Sequence, residues 1–496
     1  MEFLEDIDQL SAGPESESMD DDEFHAFIKA QVEDAIDYIE DFVSPERSEA
    51  TKFYQGQKLG NEVEGRSQYV SMDLRDAVQA VLPSLLKIFH SSERVVEFVP
   101  KGPEDVMYAD QATDYVRYIF SQDNNGFMLL HSCLKDMLIR RDGFMKAYWS
   151  DEIEVETYTY ENLDDNELGV MLGDPELSLV SLETRQEEDN GMMMPAMHDA
   201  VIQRRTDKGR VRIECLPPEE VFLSRSATDL YSANLVGHRR MMTSSELIAL
   251  GYDLEEFEDM LGGNDDALQF NEEYTVRKPE MVDSEEVHAH QSQRKVHVTE
   301  CWVRIDYDGD GIAELRHILM VGAQHEKVLL NEPVARCPIF SATCDPEPHD
   351  WTGLGFHDLV KDIQEVKSSI QRSLLDSLAL SVHPRMAFLE NAVNVEDLMD
   401  SDAVGSLIRM RQPNAIQPLQ VPFVGQAAFP VLEYYDGLKD TRTGISKSAQ
   451  GLDPESLQSS TRAGVQATIS AAALKCELIA RIFSEQLMKP MFSHIL

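Results

Sequence analysis

The sequence predicts an α+β protein whose strands are largely antiparallel. Three observations carry this. Apolar residues recur every three or four positions over most of the first 140 residues. They alternate with polar ones between about 151 and 345, and they return to the helical period after Trp351. At 496 residues the chain is long enough for several domains with proper cores, and 42% hydrophobic and 27% charged residues are ordinary for a soluble globular protein.

Taken in order, residues 1–19 predict a disordered acidic tail, since the first 28 residues hold ten Asp/Glu and no Lys or Arg. The start, MEFLEDIDQL, has neither a basic n-region nor an apolar h-region, so no secretory signal is read there. DDDEFHAFIKAQVEDAIDYIEDFVSPER (20–47) predicts a helix with Phe24, Phe27, Ile28, Val32, Ile36 and Ile39 on one face and Pro45 past its end. SMDLRDAVQAVLPSLLKIF (71–89) predicts a second helix capped by Ser71. VVEFVP (95–100) reads as a short strand, 103–122 and 126–140 as helices, and GFMKAYWS (143–150) as a strand. Further strands are expected in VRIECLPPEEVFL (211–223), VHVTECWVRIDYD (296–308) and IAELRHILMVG (312–322), with a short helix at TSSELIALG (243–251). We group 20–355 as one α+β region.

Beyond it, LGFHDLVKDIQEVKSSIQRSLLDSLALSV (354–382) predicts a long helix striped by Ile363, Val366, Ile370, Leu374 and Leu378, stopped at His383-Pro384. Residues 385–428 read as a small strand–helix–strand module and 429–444 as a helix with Pro430 in its first turn. Residues 445–460 read as a polar loop. Residues 461–490 form a long Ala-rich helix with a stripe of Val465, Ile469, Ala472, Cys476, Ile479, Phe483 and Leu487.

Most chemistry is excluded. The six cysteines (133, 215, 301, 337, 344, 476) form no C-x-x-C pair, which leaves buried or free thiols in a reducing compartment. MMMPAMHD (192–199) reads as an exposed or partly packed loop rather than a soft-metal site, and His288, His290 and His297 lack a third ligand at sensible spacing. There is no phosphate loop, zinc-protease helix or nucleophile elbow, so no catalytic residue and no cofactor is expected. No run of eighteen apolar residues suggests a membrane span.

One motif is ambiguous. Asp306, Asp308, Asp310 and Gly311 in IDYDGDGIAEL match the opening of a calcium loop. Such a loop needs a bidentate Glu at position twelve, which here is His317, and the flanks alternate as strands do. The motif therefore predicts a β-hairpin turn, with a calcium-binding module centred on Asp306–Asp310 as the alternative. A net charge of −46 argues against gripping nucleic acid, since phosphate binding runs on Lys and Arg.

Several of these stretches, in this order, carry a resemblance. GRSQYVSMDLRDAVQAVLPSLLKIF (65–89), DYDGDGIAELRHILMVG (306–322), LGFHDLVKDIQEVKSSIQRSLLDSLALSVHPR (354–385), PNAIQPL (413–419), RTGISKSAQGLDPESLQSSTRAGV (442–465) and ELIARIF (477–483) resemble the portal proteins of tailed bacteriophages, the short-tailed kind most closely. The resemblance implies a portal-like fold: 20–355 as wing, 356–384 and 429–444 as stem helices, 385–428 as clip, 445–460 as tunnel loop, and 461–496 as a long wing helix leading to a crown not present in this chain. It implies a twelve-subunit ring, without enzymatic activity, at one capsid vertex of the virion, assembled in the cytoplasm of the bacterial host. Double-stranded DNA would be packaged through it by the terminase large subunit and later ejected. The major capsid protein, a scaffold protein and a tail adaptor would be its other partners. On this reading Lys361, Lys367, Arg372, Lys439, Arg442 and Lys447 are expected to ring the channel, with Ser446, Lys447, Ser448 and Gln450 in the tunnel loop. The negative charge then keeps DNA sliding, because tight phosphate contacts would act as a brake.

Overall fold

The computed structural model describes residues 19–90, 95–151, 153–174, 177–185, 188–189, 192–193, 197–261, 272–279, 290–399, 408–419, 422–423, 425–444 and 474–496. The acidic tail (1–18), the tunnel loop with Ser446, Lys447, Ser448 and Gln450, His288, and the first half of the Ala-rich helix lie outside them.

In chain order the elements are α1 (Asp21–Tyr38), α2 (Ser44–Gln55), α3 (Asp73–His90), α4 (Val106–Tyr118), α5 (Gly126–Arg140), β1 (Asp142–Ser150), β2 (Ile153–Leu163), α6 (Asp165–Met171), β3 (Leu177–Arg185), β4 (Met197–Asp207), β5 (Arg210–Leu216), β6 (Val221–Leu223), β7 (Leu235–Thr243), α7 (Ser244–Ala249), α8 (Glu272–Arg277), β8 (Lys295–Ile305), β9 (Glu314–Val321), β10 (Lys327–Pro333), β11 (Ile339–Thr343), α9 (Phe356–Val382), β12 (Arg385–Phe388), α10 (Val395–Met399), β13 (Ile416–Leu419), α11 (Gly425–Thr443) and α12 (Lys489–Ile495). Mixed helices and antiparallel sheets make the α+β class.

The chain divides into two compact units. One comprises Met1–Glu93, Leu130–Phe144 and Cys215–Met488; the other comprises Arg94–Leu129, Met145–Glu214 and Lys489–Leu496. The larger unit is built on a five-stranded sheet of order β10-β9-β8-β7-β6, antiparallel throughout. Helix α1 lays Phe24, Ile28, Val32 and Ala35 into the same core as Phe222, Val236, Trp302 and Ile318. Gly237 is required there: a Cβ would meet the Phe222 ring at 2.0 Å. In the smaller unit β2, β4 and β3 pair antiparallel over Leu163, Leu168, Ala200 and Ile202. There the Phe120 ring meets Phe492, carried by α12, edge-on at 5.3 Å.

Several expectations are corrected. Pro45 does not end the first helix. After a π turn at Ile39–Val43 the chain re-enters α2 with Pro45 in its first turn, where the missing N–H costs nothing. Helix α11 begins at Gly425, so Pro430 sits inside it rather than in its first turn. Residues 95–100 form no strand; the Phe98 N–H donates to Thr113 Oγ1 instead (3.0 Å). The 211–223 stretch is two strands, broken where Pro217 leads into a 3-10 turn at Pro218–Glu220. The MMMPAMHD stretch is not a plain loop: its last three residues open β4. There His198 is buried and hydrogen-bonds Thr184 (2.9 Å). None of the described helices is long and apolar enough to cross a membrane.

Candidate functional site

The ambiguous aspartate motif resolves as a hairpin. β8 and β9 pair in register from Val298↔Val321 to Ile305↔Glu314, and residues 306–313 connect them. The three carboxylates accept from the loop's own backbone: Asp306 from Gly311 N (2.8 Å), Asp308 from Asp310 N (3.2 Å), and Asp310 from Ile312 N (2.7 Å). Gly309 and Gly311 take positive φ. These bonds are what Asp and Gly supply to any tight turn. Oxygens of Asp306, Asp308 and Asp310 gather within 4.8 Å, but the twelfth position holds His317, stacked on Trp302 and bonded to Glu300 (3.0 Å).

The larger architectural signal is the helix pair. α9 and α11 pack antiparallel: Arg442 reaches Asp362 (2.6 Å) and the Leu359 carbonyl (3.1 Å), and Lys367 reaches Asp436 (2.6 Å). Between them in sequence lies the small module. Its β12 and β13 pair from Arg385↔Leu419 to Phe388↔Ile416, so the module hangs from the adjoining ends of both helices. Helix α9 starts at Gly355, whose N–H donates to Asp358 (2.8 Å); Asp358 in turn holds Arg141 (2.6 Å).

Which face of α9 is inside could not be read from its apolar stripe. Ile363 is buried, but Leu378 is 47% exposed. The buried face instead runs Phe356, Val360, Ile363, Gln364, Lys367, Ser368 and Arg372. Its polar half meets a strap of chain, residues 59–74, that is neither helix nor strand up to Met72 and then enters the first turn of α3. Arg372 donates to the Tyr69 carbonyl (2.7 Å), Asn61 (2.6 Å) and Glu62 (2.7 Å). Ser67 N donates to Asp376 (2.8 Å), Ser71 N to Ser368 (2.9 Å) and Leu74 N to Gln364 (3.0 Å). Buried backbone polar groups must be satisfied, and here one helix face does it.

Asp73 closes the arrangement. It takes Lys367, Lys439 (3.0 Å) and the Ser71 hydroxyl (2.5 Å), so the first turn of α3 is pinned to both α9 and α11. Burial pushes the Asp73 carboxyl up, but the Lys367 and Ser71 hydrogen bonds and the two lysine charges outweigh it, and the net shift is down. For Lys367 burial lowers the ammonium's pKa, and the bonds to Asp436 and Asp73 reverse that to a net rise.

Every expected channel cation among the described residues therefore has a carboxylate in its own chain. Lys367, Arg372 and Lys439 are enclosed, whereas Lys361 (on Glu49, 2.6 Å) and Arg442 (on Asp362) keep 39% and 36% of their side chains exposed. The residues that sequence reasoning missed are the partners Asp73, Asp436, Glu62 and Gln364. One signal was present: polar residues at 364, 367, 368, 371 and 372 repeat at helical spacing, a second stripe beside the apolar one.

No curated protein sequence matches the chain. Residues 24–496, nearly the whole of it and all of the helix pair, its module and the hairpin, match the family model described as Phage SU10 portal protein. The chain belongs to that family, the phage portal proteins of the SU10 kind.

Proposed function

We propose that this chain is one subunit of a twelve-membered, non-enzymatic ring at a single capsid vertex. Double-stranded DNA enters through its channel, driven by the terminase large subunit, and leaves by the same route at ejection. The observation that carries this reading is the family match over residues 24–496, joined to two antiparallel helices that bear a strand–helix–strand module at one end. Apolar residues stay uncovered on both helices, among them Leu375, Leu378 and Val382 on α9 and Phe429 and Tyr434 on α11. A neighbouring copy would cover them. The major capsid protein and a scaffold protein would meet the wing, and the tail adaptor the module. Within the ring Lys361 and Arg442 are the described cations best placed to meet phosphate, and Lys447 of the expected tunnel loop is proposed to do the same. Lys367, Arg372 and Lys439 serve to hold the helix pair to the strap.

The test is native mass by light scattering with negative-stain images of the same sample. A mass near twelve times 56.1 kDa with ring-shaped particles supports the proposal. A subunit that stays monomeric at high concentration, alone and with scaffold protein, overturns it.

A further inference from the structure

Two cysteines stand side by side in the larger unit, outside both the helix pair and the hairpin. Cys133 lies on α5 and Cys215 near the end of β5. Strand β5 belongs to a three-stranded sheet of order β11-β1-β5. At one end of the β1–β5 pair the Trp149 ring lies against Gly209, where a Cβ would meet it at 2.6 Å. At the other end Phe144 and Leu216 enter one core. The two strands therefore run antiparallel, and Cys215 falls beside Gly143.

Gly143 faces α5. A Cβ there would meet Cys133 Sγ at 2.8 Å and the Cys133 carbonyl oxygen at 2.6 Å, so only glycine lets β1 pass this close to the helix. Cross-strand neighbours share a face of a sheet, so Cys215 points toward α5 as Gly143 does. The Cys133 and Cys215 thiols accordingly share a hydrogen bond. Both are free thiols, Cys133 buried and Cys215 half-buried.

We infer that Cys133 and Cys215 form an oxidation site. The chain carries them as a dithiol in a reducing compartment and joins them as a disulfide when it meets a small-molecule disulfide such as oxidised glutathione. The half-buried Cys215 is the thiol that such an oxidant reaches. Its thiolate attacks one sulfur of the oxidant, forms a mixed disulfide and expels one glutathione thiolate, which takes up the proton that Cys215 gave up. Cys133 then loses its proton, attacks Cys215 Sγ and expels the second glutathione. Two protein thiols are oxidised and one glutathione disulfide is reduced to two thiols. Burial pushes the Cys133 thiol well up, and the hydrogen bond to Cys215 and the Asp136 charge push the same way, so the second step is the slow one. The bond closes a loop over residues 134–214, which holds β1 to β4. Closing a loop of that length removes freedom from the unfolded chain and raises stability.

The test is to incubate the full chain with oxidised glutathione, alkylate the remaining thiols, digest with trypsin and weigh the peptides. Peptides 118–135 and 213–225 should appear joined, lighter than their sum by two hydrogens, and should separate on reduction. The thermal midpoint should rise by several degrees on oxidation and return with dithiothreitol. Cys215→Ser should give neither the joined peptides nor the shift. The wild-type digest decides the matter by itself if that variant does not fold. Glutathione retained on Cys215 with no joined peptides overturns the inference. So does a joined pair made of other cysteines, and so does a Cys215 left unmodified, whether or not the half-buried Cys337 and Cys476 react.

Discussion

The two halves of helix α9 belong to one uninterrupted element and bury opposite chemistry. From Phe356 to Arg372 the inward face becomes steadily more polar, ending in Gln364, Lys367, Ser368 and Arg372. From Leu375 to Val382 apolar side chains stand uncovered, with Leu375 42%, Leu378 47% and Val382 63% exposed, and all four residues of β12 beyond them are exposed too. The difference lies in the neighbour. An extended strap offers unmet N–H and C=O groups, and only hydrogen-bonding side chains can seat it. The far half meets the strap only where Ser67 N donates to Asp376, and the rest of its surface suits an apolar partner, which in the proposed ring is the next subunit.

Substitutions on the two halves should separate accordingly. The largest effect is expected for Lys367→Ala, which removes the ammonium that Asp73 and Asp436 share and leaves Lys439 as the lysine near them: about 3 kcal/mol of subunit stability, read by denaturant unfolding. A loss below about 1 kcal/mol would mean water replaces the ammonium and the polar face is no clamp. Arg372→Ala should follow at about 2 kcal/mol, since Glu62 keeps its bonds from the Leu59 and Gly60 N–H groups. Leu378→Ser on the far half should change subunit unfolding by no more than about 0.5 kcal/mol yet lower the fraction assembled, seen by light scattering. Equal effects on folding and assembly would erase the contrast. The smallest effect belongs to the module. The Arg409 hydrogen bonds hold the Asp397 carboxyl down at about 2. Its stabilising contact is therefore present above about pH 4 and lost as pH falls through 2, which an NMR titration of the Asp397 carboxyl would follow. An ordinary Asp titration there would show that the pair does not persist in solution.

The hairpin was legible in the sequence because period-two flanks and Asp/Gly spacing are local signals, and so was the run of α9 with the strand–helix–strand module after it. What was not legible is which stripe of a helix faces inward when two stripes compete. That depended on residues 59–74, some 300 positions earlier in the chain. The channel cations illustrate the same gap: Lys367 and Lys439 looked free in sequence because Asp73 is nowhere near them along the chain. Proline misled in the other direction: Pro45, read as lying past the end of a helix, instead sits in the first turn of α2, where its missing N–H costs nothing.

The Phe120–Phe492 contact has a consequence in time. The two rings are separated by more than 370 residues of sequence, yet they close the same small core, where Val116, Ile119 and Met491 are also buried. A ribosome works from the N-terminus, at about 5–20 residues per second. Helix α4 and the turn after it must therefore wait for tens of seconds with an aromatic face uncovered before α12 emerges. The smaller unit can only be finished after the larger one, and a nascent chain stalled short of Met491 would display a sticky surface that α12 later covers.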